Sequence, residues 1–392
     1  MTKRTTEALF LTGLSVYLIL DYLSTTTFEV WVPDFVMTIL RGLFLFLAFT
    51  RLYLFKAAMP RTTVLTVAVF TGLGFYYYMA RGDTYVIDMA LIVAAATGVS
   101  FKRIGALYLY IGAFISLLAL ICSQTGIIID YTYFSYRNDI ASVRHSLGII
   151  YPTDCFAHVF YLMLIYLIVR FRRITYIELA GLSVITGVFY YFTGARADLA
   201  CAVAVLVLCV ICKALKYKEI RLPEAVKYIF ACCPGVLCSA LILTLSKIYN
   251  PNDAHMHTIN TILSDRLYYG MTGFNLYGFT PFGSESFAEN GSSNGGISQA
   301  SYVFYDSSYV KFLFKYGWVL LLVLLVVLTL ISVRFVKNKM FYGVIFLAAV
   351  ALSCMIEHHM LELSYNITFL LLTADISTIL QTEAGKPIKA YR

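Results

Sequence analysis

Charge is what this sequence has least of. Only 13% of its 392 residues are Asp, Glu, Lys or Arg, against 60% apolar residues, and its mean hydropathy is +0.78. A soluble domain carries about 25% charged residues, so the shortage excludes a water-exposed globular fold and makes the bilayer the solvent. Other absences narrow the reading. The nine cysteines are odd in number and sit in or beside apolar runs, and no pair has metal-ligand spacing with histidines nearby, so neither a structural disulfide nor a zinc site is expected. Met1–Thr6 is too short for a leader, and no small-residue cleavage site follows the first apolar run, so that run is expected to remain as a span. No internal repeat is visible and no two spans are broken by matching Gly/Pro interruptions, which counts against a repeat-built secondary transporter.

What is present is a series of apolar runs of the length that crosses a bilayer, roughly 20 residues. They fall at about 7–24, 33–50, 62–80, 84–100, 104–122, 147–169, 174–193, 198–212, 228–246, 309–332, 340–356 and 365–380. The expected fold is therefore all-α, a single polytopic transmembrane bundle of about twelve spans over 1–392. Asp21, Arg41, Asp88, Glu178 and Asp375 lie within these runs, mostly near their ends; Asp88 is the deepest and a candidate for lining a cavity.

Orientation follows from the cations. One alternating set of breaks holds Lys3 and Arg4; Arg51, Lys56 and Arg61; Lys102 and Arg103; Arg170, Arg172 and Arg173; Lys213, Lys216, Lys218, Arg221 and Lys227; Arg334, Lys337 and Lys339; and Lys386, Lys389 and Arg392, which is 21 of the 30 basic residues. Positively charged loops stay in the cytoplasm, so both termini are expected there, in a multi-pass protein of the cell membrane. The same asymmetry accounts for the net charge of +8 without nucleic acid.

Two long segments then fall outside, 123–146 and 247–308, both rich in Tyr and Phe with Gly and Asn among them. Aromatic rings beside amides and carboxylates suit sugar rings; an interfacial aromatic belt is the plainer reading. The choice of cation is sharper. The outer breaks hold Arg81, Arg137, Arg144, Arg196 and Arg266 but only one lysine, Lys247, whereas arginine and lysine are nearly balanced inside. Arginine grips phosphate with a rigid fork of donors. Arg137, Arg144, Arg196 and Arg266 sit at or near outer span ends, at the depth of a lipid phosphate, and are the candidate diphosphate-binding residues. The plainer alternative is that each snorkels or pairs with a local acid such as Asp139, Asp198 or Asp265. Candidate acids and bases on this face are Asp139, His145, Asp154, His158, Asp265, Asp306, Glu357, His358, His359 and Glu362, four of them in the run MIEHHMLEL. Adjacent histidines on a helix point to different faces, whereas zinc-binding helices space them by a turn, so no metal is expected at His358, His359 and Glu362.

The layout resembles the Wzy-type polysaccharide polymerases and the related O-antigen ligases. The likeness rests on an outer loop with Arg137 and Arg144 running into LGIIYPTD; on a Thr-Gly-Ala-Arg turn at Arg196; on Arg266 opening a long loop that contains Pro281, Phe282 and Gly283; and on a polar residue before an aromatic-rich helix ending in glycine, here Asp306, Ser307, Tyr309 and Gly317. Where the ligases carry a histidine before that helix this chain has Asp306, which favours the polymerase. The resemblance implies a membrane glycosyltransferase architecture of the C type, an undecaprenyl-diphosphate-linked oligosaccharide as substrate in contact with membrane lipid, no nucleotide sugar or other cofactor, and room for a chain-length regulator as partner. It also implies a scheme in which arginines hold the lipid diphosphate while Asp306, Glu357 or His358 accepts the attacking hydroxyl's proton; spacing does not choose among the three. A flippase or exporter of lipid-linked oligosaccharide and a glycan ligase are the alternatives.

Overall fold

The structure, a computed structural model, describes residues 3–54, 59–137, 140–170, 173–215, 223–289, 304–377 and 379. Among them nine helices are long and apolar enough to cross a membrane: α1 (Lys3–Ser24), α2 (Asp34–Leu54), α3 (Arg61–Arg81), α5 (Phe101–Gln124), α6 (Pro152–Arg170), α7 (Tyr176–Thr193), α8 (Arg196–Ala214), α9 (Glu224–Ile248) and α12 (Ser308–Lys337). A helix satisfies its own backbone polar groups where no water can, and these helices make the chain a multi-pass membrane protein.

Three of the twelve expected spans take another form. α4 (Tyr85–Ala95) has 11 residues and α13 (Phe341–Ile356) has 16, about 16 and 24 Å at 1.5 Å per residue, short of a 30 Å hydrocarbon core. Over 365–377 there is no α-helix, only the 3-10 turn Thr368–Leu372, although the stretch is almost wholly buried; the remainder of the expected last span lies outside the described residues apart from Ile379. The runs at 84–100 and 365–380 break because they bond to each other. Gly98 N–H donates to Thr373 O (3.1 Å), Asp375 N–H to Val99 O (2.7 Å) and Phe101 N–H to Asp375 O (2.9 Å). Irregular backbone is tolerated at membrane depth when protein supplies its partners.

The chain divides into two compact units, one comprising Met1–Lys218 with Leu361–Arg392 and the other Glu219–Met360. In the first, α1 packs on α2 and α5, α3 on α4, and α6 on α5, α7 and α8. Three of its intramembrane carboxylates have partners. Arg41 of α2 bonds Asp88 of α4 at 2.6 Å. Asp21 accepts from Ser364 N–H at 2.6 Å. Glu178 closes a capping box with Thr175 at the start of α7 and pairs with Arg170 at 2.6 Å.

The segment 123–146, expected as a loop, contains an antiparallel ribbon of β1 (Thr132–Arg137) and β2 (Ile140–His145), with Tyr133 opposite Arg144 and Phe134 opposite Val143. Alternating aromatic, β-branched and polar residues suit a half-exposed ribbon, so the all-α description gives way at this point. The second long segment is also partly helical, with α10 (Ala254–Ile262) and α11 (Arg266–Tyr277). In the second unit α9, α12 and α13 pack on one another and α11 lies against α9 and α12. α12 is broken at Gly317 (φ 84°, ψ 172°). The Pro281-Phe282-Gly283 element enters that break: Trp318 N–H donates to Thr280 O, Val319 N–H to Pro281 O and Ser284 N–H to Phe314 O. A β-carbon on Gly317 would lie 2.3 Å from Pro281 O, and one on Gly283 2.1 Å from Lys315 O. Only backbone fits in this joint.

Candidate functional site

In the second unit the turn before α11 is built to aim one side chain inward. Ser264 and Asp265 both take left-handed backbone (φ 53° and 65°), an uncommon conformation for residues with a β-carbon. The buried Asn260 caps the new helix in Asp265's place, its Oδ1 accepting from Leu267 N–H and Tyr268 N–H (3.0 Å each), while its amide donates to Asp265 Oδ1 (2.8 Å). Arg266, the first residue of α11, is thereby turned into the protein with a side chain only 7% exposed.

Its guanidinium is almost fully engaged. Nε donates to Ile356 O (2.5 Å), Nη1 to Leu263 O (3.1 Å) and Nη2 to Glu357 Oε1 (3.2 Å), with Asp306 Oδ2 at 3.4 Å from the same Nη2. Three residues separated by some ninety positions, Arg266, Asp306 and Glu357, therefore form one cluster. The nearby acid considered as a partner for Arg266, Asp265, does not serve as one; the carboxylates come from the start of α12 and the end of α13. The two carboxylates differ in access, with the Glu357 side chain 3% exposed and that of Asp306 33%.

The chain that follows α13 is clamped by Ser308. Its N–H and hydroxyl both donate to Glu357 O (3.1 and 2.6 Å), and its oxygen accepts from Met360 N–H (3.2 Å). Glu357 has extended backbone (φ −126°, ψ 149°). The expectation that the two following histidines would diverge assumed a helix and fails here: the rings of His358 and His359 are 4.1 Å apart, centroid to centroid. Phe304 meets His358 edge-on at 4.9 Å, Lys311 lies over Phe304 at 4.7 Å, and Lys311 pairs with Glu289 at 2.9 Å. Burial first, then its neighbours His359, Lys311 and Arg266, hold the His358 imidazole well below its usual range. The sequence singled out Glu357, His358 and His359 as one run and Asp306 as a candidate base; their meeting with Arg266 and Phe304 had no linear signal.

The other candidate arginines belong to the first unit. Arg144 of β2 donates from Nε to Thr193 O at 2.5 Å and lies against Gly194, 3.3 Å from where a β-carbon would stand. The same turn leads into Arg196, the exposed first residue of α8. The hairpin and the α7–α8 turn thus bring Arg144 to the turn that carries Arg196. Asp198 is buried in the first turn of α8. Arg137 ends β1 opposite Ile140; its side chain, and the whole of Asp139, lie outside the described residues, as does the Gly/Ser/Asn-rich run from Asn290. His145 bonds Asp130 at 2.7 Å. His158 stacks between Tyr365 (3.9 Å) and Tyr22 (4.8 Å) and bonds Thr25 at 2.8 Å, an interior packing role. Glu362 also belongs to this unit, its carboxyl held well above the usual range by burial and by Asp21.

The chain matches no family model, no curated protein and no solved structure.

Proposed function

We propose that this chain is a membrane glycosyltransferase that polymerises lipid diphosphate-linked oligosaccharide repeat units at the outer face of the cytoplasmic membrane. The observation that carries the reading is the buried Arg266 joining a partly accessible carboxylate, Asp306, to a buried one, Glu357, beside the His358 and His359 rings in an aromatic-rich segment of an otherwise apolar chain. Ionised groups at such a position are expensive unless they have a use.

In the reaction, a hydroxyl of one lipid-linked saccharide attacks the anomeric carbon of another. The new glycosidic C–O bond forms as the bond from that carbon to the diphosphate oxygen breaks; the electron pair leaves with the lipid diphosphate, and the hydroxyl proton passes to a carboxylate. Asp306 is the base on this reading, because its carboxylate is the one that solvent and substrate reach. Arg266 orients it and fixes Glu357. The arginine's donors are largely spent on protein oxygens, which makes it an organiser of the carboxylates rather than a diphosphate clamp. Arg144 and Arg196 remain the candidates for holding the diphosphate, by charge and by the fork of donors.

The test is deletion of the gene in its host, with mass spectrometry of lipid-linked glycans and assignment of the membrane face they occupy. Single repeat units accumulating on the outer face without polymer, restored to polymer by the wild-type gene but not by Asp306→Asn, is the expected result. Units trapped on the inner face would make the protein a flippase, long lipid-linked polymer would make it a ligase, and an unchanged profile would remove the proposal.

A further inference from the structure

The turn 357–360 has a property that does not depend on glycosyl transfer. One carboxylate oxygen of Glu357 and one ring nitrogen each of His358 and His359 all lie within 4.8 Å of one another. His359 Nε2 is 3.9 Å from Glu357 Oε2. Donors around a tetrahedral dication bonded at 2.0–2.2 Å stand about 3.4 Å apart, so small side-chain rotations would close the set on one ion.

Glu357 has the outer hydrogen bond that a metal-ligating carboxylate ordinarily has, and the turn is braced around it. Glu357 Oε1 is held by Arg266 Nη2, which leaves Oε2 as the oxygen on the histidine side. The backbone that carries all three donors is fastened at both ends by Ser308, through Glu357 O and Met360 N–H. The ring of His358 is braced by Phe304 at 4.9 Å. The cations nearby are already matched: Arg266 faces Glu357 and Asp306, and Lys311 faces Glu289. Two imidazoles and one carboxylate are a borderline donor set, suited to zinc and its neighbours rather than to magnesium or calcium. Three protein ligands would leave a coordination position for water.

We infer that Glu357, His358 and His359 form a binding site for one zinc-type dication at the end of α13.

The experiment uses the full-length chain purified in detergent and stripped with chelator. Cobalt(II) is titrated in as a spectroscopic probe, with zinc(II) as competitor. The background is a His255→Gln/His257→Gln variant, because those two histidines of α10 are a separate opportunity for surface binding. The expected result is a visible absorption band saturating at one cobalt per chain, abolished by zinc, and a dissociation constant at least ~10-fold weaker in His358→Gln and in His359→Gln, a loss of about 1.4 kcal/mol. X-ray absorption on the cobalt-loaded background protein counts two imidazoles, a reading that stands even where the substituted chains fail to accumulate. No saturable binding, or a bound ion with fewer than two imidazoles, or affinity unchanged in the folded variants, overturns the inference.

Discussion

Arg266 and Arg196 are both arginines that open a helix, and they could hardly be used more differently. Arg266 is 7% exposed and meets two carboxylates and two carbonyl oxygens. Arg196 is exposed at the start of α8, beside a turn on which Arg144 already rests. A buried cation saturated by protein oxygens organises what is around it; an exposed one keeps its donors for a ligand. The candidate arginines therefore do not form one class, and the cost of removing each should separate along that line.

The largest effect is expected at Arg266→Ala. It strands Glu357 without its main counter-charge in a buried position, a change that costs about 3–5 kcal/mol, so the detergent-solubilised protein should lose most of its thermal stability and accumulate poorly. An Arg266→Ala chain as stable as wild type would erase the distinction drawn above. Gly317→Ala should come next. It needs the positive-φ, extended backbone of Gly317 (φ 84°, ψ 172°) from a residue with a β-carbon, about 1–3 kcal/mol, and forces apart a joint in which that carbon would sit 2.3 Å from Pro281 O, about 1–3 kcal/mol more; limited proteolysis within 278–289 is the readout. Smallest in stability, yet sharpest for function, is the pair Arg196→Lys and Arg144→Lys. Both should leave the melting temperature within a few degrees of wild type, while, on the proposed function, polymer formation falls ~10-fold or more because lysine cannot grip phosphate through two donors at once. Normal polymer in both would free these arginines from any role with diphosphate.

Much of the helical framework was legible from apolar run length alone, since a bilayer imposes one length on every span and a hydropathy pattern records it. The misses have a common origin. The run at 84–100 is as apolar as its neighbours, but Gly98 N–H and Val99 O near its end bond to Thr373 and Asp375, and no local pattern reports a partner so distant in the chain. The ion pair of Arg41 with Asp88 and the cluster of Arg266 with Asp306 and Glu357 are likewise long-range. The four arginines, Asp306, Glu357 and His358 were all visible as residues out of keeping with an apolar chain, but which of them meet was not. Pro281-Phe282-Gly283 and Gly317 stood out as separate pieces; that they are two halves of one joint required the fold. The histidine pair was misjudged because helical geometry was carried past Ile356, where α13 ends.

The buried stretch 361–377 has a consequence for how the protein is made. It completes the interior of the first unit, where Tyr108 hydroxyl donates to Ser364 O and Tyr365 O and the 373–375 backbone completes the end of α4. Yet it leaves the ribosome only after the whole of the second unit has been synthesised. The first unit must therefore wait in the membrane with unpaired backbone groups at Gly98 and Phe101 until this late segment arrives.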